Sequence, residues 1–335
     1  MEIYDKIHFF SVDDLKKKGI ENCDIIPDLL RGYKVSVLTG GSKVGKTSIA
    51  LDMANAISNG GKFLNFQCMK QQVLYISVDN DSDLIGERLS KMKISPNPNL
   101  KFYCDSVKLG VNGTENEDTV YLNDVVNKTL IEELPDLRVV FIDLYDNIRE
   151  VNALNEYSNA IAQKEIELLK ELATSNGIAF ILLTHDSKAN SKKGYNSAKG
   201  ATEFIGTING TYMHLIRNGI GETSATLEIG GRNVKETVLH ITFNSEKVCF
   251  ELDESDEMDT NIALIRNYMN LVGDFSGTAS LLCTKAKLLV SAKSCGRLLV
   301  KYKDVLENEG IHIQFPTNHH NRIYHLVSDN YKEKI

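Results

Sequence analysis

Gly40-Gly41-Ser42-Lys43-Val44-Gly45-Lys46-Thr47 follows the apolar run Val35-Ser36-Val37-Leu38 and leads into Ser48-Ile49-Ala50-Leu51-Asp52-Met53-Ala54. The order is strand, glycine loop, helix, the setting that gives a phosphate-loop match its weight. Glycines let the backbone close around a polyphosphate, and the N–H groups from Gly40 to Ser48, aided by the helix dipole, suit its negative charge. In that reading Lys46 reaches the β- and γ-phosphates and Thr47 places its hydroxyl on Mg²⁺. The plain alternative is a glycine turn between any strand and helix. Two glycines, the lysine and the threonine all fall in register, which favours the phosphate loop.

Working outward, Val73-Leu74-Tyr75-Ile76-Ser77-Val78 is a β-branched apolar run ending at Asp79-Asn80-Asp81. Acids at the carboxyl end of a buried strand lie where α/β sheets hold ligands. A helix over about 83–92 should follow, then a short strand near Phe102-Tyr103 and a polar stretch around 112–118. Val139-Val140-Phe141-Ile142 runs straight into Asp143, a carboxylate on a rigid tip that can hold Mg²⁺ through water. A long amphipathic helix, roughly 155–175, leads to the strand 177–185, whose polar tip is His185. A lone histidine is ordinarily a core or strand-end residue; following the Asp143 strand, His185 reads as a γ-phosphate sensor. The segment after it carries Lys188, Lys192, Lys193 and Lys199 among Asn, Ser and Gly, a composition for phosphate contacts or for a solvated loop.

From residue 210 the pattern changes to strands at 211–217, 224–230, 237–243 and 247–252, a β-meander finishing the sheet. The acidic run 253–259 is a composition shift, read as a linker. Beyond it come helices near 261–272, 279–286 and 292–308, then short strands at 311–313 and 323–326. Three helices and a hairpin make a winged helix-turn-helix. Lys293, Arg297 and Lys301 recur every four residues and share one stripe, positioned for a DNA groove or simply for solvent. His319-His320 has no third ligand spaced to make a metal site.

The 335 residues suit one large domain and one small one, since single cores seldom exceed ~250 residues. Composition is that of a soluble globular protein, 42% hydrophobic and 25% charged. No run approaches the ~20 apolar residues of a membrane span, and the N-terminus lacks a signal-peptide pattern, so no membrane role and a cytoplasmic location are expected. Cys23, Cys68, Cys104, Cys249, Cys283 and Cys295 form no C-x-x-C pair and read as reduced packing residues. The net charge of −7 is uneven: residues 261–335 carry ten Lys and Arg against six Asp and Glu, +4, leaving −11 for the rest. A basic tail sits behind an acidic body.

The pieces GGSKVGKTSIAL, VLYISVDNDSDLIGERL, VVFID, FILLTHDSK and TLEIGGRNVKE, in that order over roughly 25–252, resemble the RecA-like ATPases of plasmids, phages and mobile elements, typified by the RepA-type hexameric replicative helicase. The resemblance implies that Asp79 is the general base orienting the attacking water, where the family usually has Glu, one methylene longer. It implies that Asp143 serves Mg²⁺ and that His185 couples the γ-phosphate to a DNA-facing loop over 186–199. It also implies that Arg232 is an arginine finger completing a neighbouring subunit's site, with a surface arginine as the alternative.

The expected architecture is therefore α/β: a 1–24 lead-in, a RecA-like ATPase domain over 25–252 with a mostly parallel sheet, a 253–260 linker and a winged helix-turn-helix over 261–330. The expected function is a DNA-dependent ATPase of a mobile element, using ATP and Mg²⁺. It would be a ring-forming replicative helicase or helicase-like replication factor, a homo-oligomer expected to be a hexamer that hydrolyses ATP at subunit interfaces, with single-stranded DNA at the core loop and duplex DNA at the winged helix. An ATP-switched DNA-binding regulator or loader is the rival class, and a protein-binding tail a third.

Overall fold

The computed structural model describes residues 11–13, 24–110, 118–149, 159–186, 206–217, 222–232, 234–316 and 323–331. Two compact units make up the chain, Met1–Val238 with Phe243–Phe250, and Leu239–Thr242 with Glu251–Ile335. Lys188, Lys192, Lys193, Lys199, His319-His320, most of the 1–24 lead-in and most of the polar stretch around 112–118 lie outside the described residues.

The strands are β1 (Val35–Gly40), β2 (Gln72–Ser77), β3 (Leu100–Tyr103), β4 (Leu137–Asp143), β5 (Ala179–His185), β6 (Thr211–Arg217), β7 (Ser224–Gly231), β8 (Thr237–Asn244) and β9 (Cys249–Leu252). They form one nine-stranded sheet in the order β9-β8-β7-β6-β1-β5-β4-β2-β3. The strands from β6 to β3 in that order run parallel, and β7 pairs antiparallel with β6. The sequential β6 to β9 neighbours are the expected meander. Every residue of β1 is buried, as a parallel strand covered on both faces requires. On one face Val35, Val37, Leu74, Ile76, Val140, Ile142, Phe180 and Leu182 pack with Ile166, Leu169 and Ala173 of the helix Asn159–Asn176.

Helix α1 (Lys46–Asn59) leaves the end of β1, and α2 (Ser82–Lys91) leaves the end of β2. Asp81 starts α2 by accepting the Leu84 N–H at 2.9 Å, so it is a helix cap. A four-residue helix, α3 (Tyr145–Ile148), follows β4. The register brings the strand tips together: Gly40 pairs with His185, and Ser77 with Asp143. One strand, β5, separates the loop strand from the Asp143 strand.

In the second unit α4 (Glu254–Val272) follows β9, so most of the acidic run expected as a linker is helix. Acidic residues at a helix start complement the dipole, and a composition shift is not a break in structure. Strand β10 (Asp274–Thr278), α5 (Ala279–Lys285), α6 (Ala292–Lys301), α7 (Lys303–Asn308), β11 (Ile311–Gln314) and β12 (Ile323–Ser328) follow. The expected helix over 292–308 is two helices broken at Tyr302, where φ is −107°. The sheet order β10-β12-β11, all antiparallel, adds a strand that the Gly, Ser and Asp of 274–278 concealed. Its core gathers Ile265, Met269, Leu282, Cys295, Leu298, Leu299, Leu306 and Leu326.

Candidate active site

The phosphate loop is built by backbone needs that only glycine meets at two positions. A Cβ on Gly40 would stand 2.7 Å from the Leu215 carbonyl oxygen, and Gly45, at φ 109°, would drive one to 2.8 Å from the Phe250 ring. Gly45 caps α1 without a side-chain hydrogen bond, and no acid occupies the first turn. The leading N–H groups of α1 thus present the positive end of a 14-residue helix to an anion. Ser42 and Lys43 are exposed at the turn, Gly41, Val44 and Thr47 are half-buried, and Ser48 is buried in the first helical turn.

Lys46 folds under the loop. Its ammonium donates to the Gly40 carbonyl at 2.9 Å and to the Gly41 carbonyl at 2.8 Å, and lies 3.1 Å from Nδ1 of His185. Burial lowers its pKa, while the carboxylates of Asp186, Asp143, Asp146 and Asp79 pull the other way.

Asp143 is fully buried at the tip of β4. Burial raises its pKa, opposed by the hydroxyls of Thr47 and Tyr75, and Asp79 adds a like-charge push upward. The Tyr75 hydroxyl donates to Oδ2 at 2.8 Å, whereas Oδ1 is buried with no hydrogen-bond partner. An unpaired buried carboxylate oxygen beside a threonine hydroxyl fits Mg²⁺, which takes few protein ligands and keeps waters. Among the described residues no cluster of three His, Cys, Asp or Glu forms another metal site.

Asp79 is exposed two residues beyond β2, and Asn147 of α3 donates to its Oδ1 at 3.3 Å. Its backbone N–H reaches the Asp143 carbonyl at 3.4 Å, so the two acids sit on adjoining strand ends. Asp79 helps to line a cavity of about 260 Å³ together with Asp81, Cys104, Asp105 and Asn147.

Arg232 is exposed just past β7. Gly231 pairs with Thr211 at the start of β6, whereas Leu215 is level with Gly40. At about 3.3 Å per residue, that offset separates the two levels by about 13 Å. The structure therefore brings together the loop, Asp79, Asp143 and His185, and leaves Arg232 at the other end of the sheet. In the second unit Lys293, Arg297 and Lys301 are all exposed on α6, with the Lys301 ammonium 5.2 Å from the Tyr302 ring centroid.

Several residues of the site escaped sequence reasoning. Tyr75 holds Asp143, Asp146 and Asn147 contact His185 and Asp79, and His214 on β6 lies 3.3 Å from Asp186 and 3.4 Å from Glu228.

A glycine loop on a parallel sheet, with an acid-tipped strand one place removed, defines a RecA-like α/β nucleotide-binding fold. The family described as AAA domain matches residues 5–191, more than half of the chain, and the chain belongs to that family. Among solved structures it is similar to the one titled ATPase Domain of G40P, with a TM-score of 0.55 and 13% identity over 74% of this chain and 100% of that one. At that identity the likeness concerns the fold. No curated protein sequence matches the chain. Family and fold together support an ATPase domain that binds nucleotide. No helix among the described residues is long and apolar enough to cross a membrane.

Proposed function

We propose that the chain is a DNA-dependent ATPase of a mobile element, a ring-forming replicative helicase or helicase-like factor that hydrolyses ATP between subunits. The observation that carries the reading is the meeting of buried Lys46, buried Asp143 and His185 at the carboxyl edge of one sheet. Mg²⁺, held by Thr47 and Asp143, would offset charge on the β- and γ-phosphates. Backbone N–H groups from Gly40 to Ser48 bind the phosphates, and Lys46 exchanges a loop carbonyl for phosphate oxygen. Asp79 orients the attacking water and accepts its proton. His185 senses the γ-phosphate and passes its state to the loop that begins at Asp186. Arg232, far from its own loop, completes the neighbour's site, which makes hydrolysis depend on assembly. A hexameric ring is the assembly this predicts.

The order helix, strand, helix, helix, helix, strand, strand in the second unit supports a winged helix-turn-helix, with Lys293, Arg297 and Lys301 meeting duplex phosphates. Lys188, Lys192, Lys193 and Lys199 would contact single-stranded DNA. One observation favours a second reading, an ATP-switched regulator or loader: Asp79 is short for a base and is exposed.

The test compares ATPase rate without DNA, with single-stranded DNA and with duplex, alongside native mass and strand displacement on a fork. Stimulation by single strands, a ring mass and displacement are expected of the helicase. Stimulation by duplex alone, without displacement, would replace it with the regulator, and no ATP turnover would end both readings.

A further inference from the structure

The short helix α3 touches two strand tips at once. Thr184 donates its hydroxyl to both oxygens of Asp146, at 2.9 Å each, and the His185 N–H donates to Oδ2 at 3.0 Å. One carboxylate thus fixes the last two residues of β5. The next residue, Asn147, donates to Asp79 at 3.3 Å. The same turn is anchored from behind by Glu165, buried on the helix after it, which accepts the Tyr145 hydroxyl at 2.9 Å and the Arg149 Nε at 2.8 Å.

We propose that Asp146 is a positioning residue that sets His185 against Lys46 and, through the α3 turn, keeps it in step with Asp79. The inference rests on the ATPase reading given above and assigns to this reaction a residue outside the phosphate loop and strand tips. Charge matters as well as shape: an ionised carboxylate accepts an O–H and an N–H together, and charge-assisted hydrogen bonds hold geometry more tightly than neutral ones. A neutral amide keeps one acceptor oxygen and can serve both donors only weakly. Displacing the strand end by about 1 Å moves the His185 ring off its contact with Lys46, and errors of that size cost on the order of 100-fold in rate.

The experiment measures kcat and KM for ATP in wild type, Asp146→Ala, Asp146→Asn, His185→Ala and the double variant Asp146→Ala/His185→Ala. The expected result is a kcat about 10- to 100-fold lower in Asp146→Ala with KM within about two-fold, an intermediate loss in Asp146→Asn, and no further loss in the double variant. Losses that multiply in the double variant, or a KM rise that accounts for the whole effect, overturn the proposal. A normal kcat in His185→Ala beside a low one in Asp146→Ala also overturns it, since Asp146 would then not act through His185. Should Asp146→Ala not fold, Thr184→Val removes one arm of the same clamp and must lower kcat without raising KM. An inactive wild type, in contrast, marks failure of the ATPase reading itself.

Discussion

The Lys46 ammonium lies 3.1 Å from Nδ1 of His185, while its other contacts are the Gly40 and Gly41 carbonyls. With the ammonium donating, Nδ1 supplies the lone pair and a ring proton belongs on Nε2. Three donors thus meet three acceptors around a compact charge. A planar guanidinium cannot follow that arrangement. Lys46→Arg should therefore lose ATP turnover to within about ten-fold of Lys46→Ala despite keeping the charge, as initial-rate assays would show; wild-type turnover in Lys46→Arg would oppose the tight fit.

Tyr75 lies on the strand adjacent to that of Asp143, two positions short of its level, and the Tyr75 hydroxyl donates to the buried carboxylate's Oδ2. Tyr75→Phe strips that partner. Melting should show a loss of about 1–3 kcal/mol, and the Mg²⁺ concentration for half-maximal activity should shift. An unchanged melt and Mg²⁺ titration would deny Tyr75 this role.

The sheet register holds Arg232 away from its own phosphate loop, so the proposed finger role requires the site of another copy. Mixing Arg232→Ala subunits with Lys46→Ala subunits should restore part of the turnover that each lacks alone. Co-assembly without rescue at every ratio would remove the finger assignment.

His214 is buried between Asp186 and Glu228. Burial lowers its pKa, but hydrogen bonds and attraction from both carboxylates outweigh it, and the folded value is raised above 6.5. A raised histidine stabilises the fold fully below the unfolded value and loses that contribution as pH rises through the folded one. Wild-type stability should fall from about pH 6 toward alkaline pH, and His214→Gln should flatten that fall. Denaturant melts across the range check it, and equal slopes for both proteins would refute it.

The phosphate loop, the strands around it and the acid and histidine tips were legible because each rests on local pattern: apolar runs, glycines and the polar residue ending a run. Tyr75, Asp146, Asn147 and His214 were not. Their roles come from tertiary contacts, side-chain hydrogen bonds that join Tyr75 to Asp143 and Thr184 to Asp146 across dozens of residues. Strand 274–278 was hidden by residues with low strand propensity that pairing with β12 overrides. The break at Tyr302 interrupts an otherwise helical pattern from 292 to 308, and the acidic run 253–259 looked like a linker because composition registers charge and not backbone geometry.

Steady-state ATP hydrolysis by wild type and Lys46→Ala, purified side by side and assayed with and without Mg²⁺, tests the central claim most directly. Mg²⁺-dependent turnover by wild type, reduced at least about 100-fold in Lys46→Ala, is the predicted result. Equal turnover by the two proteins would contradict it.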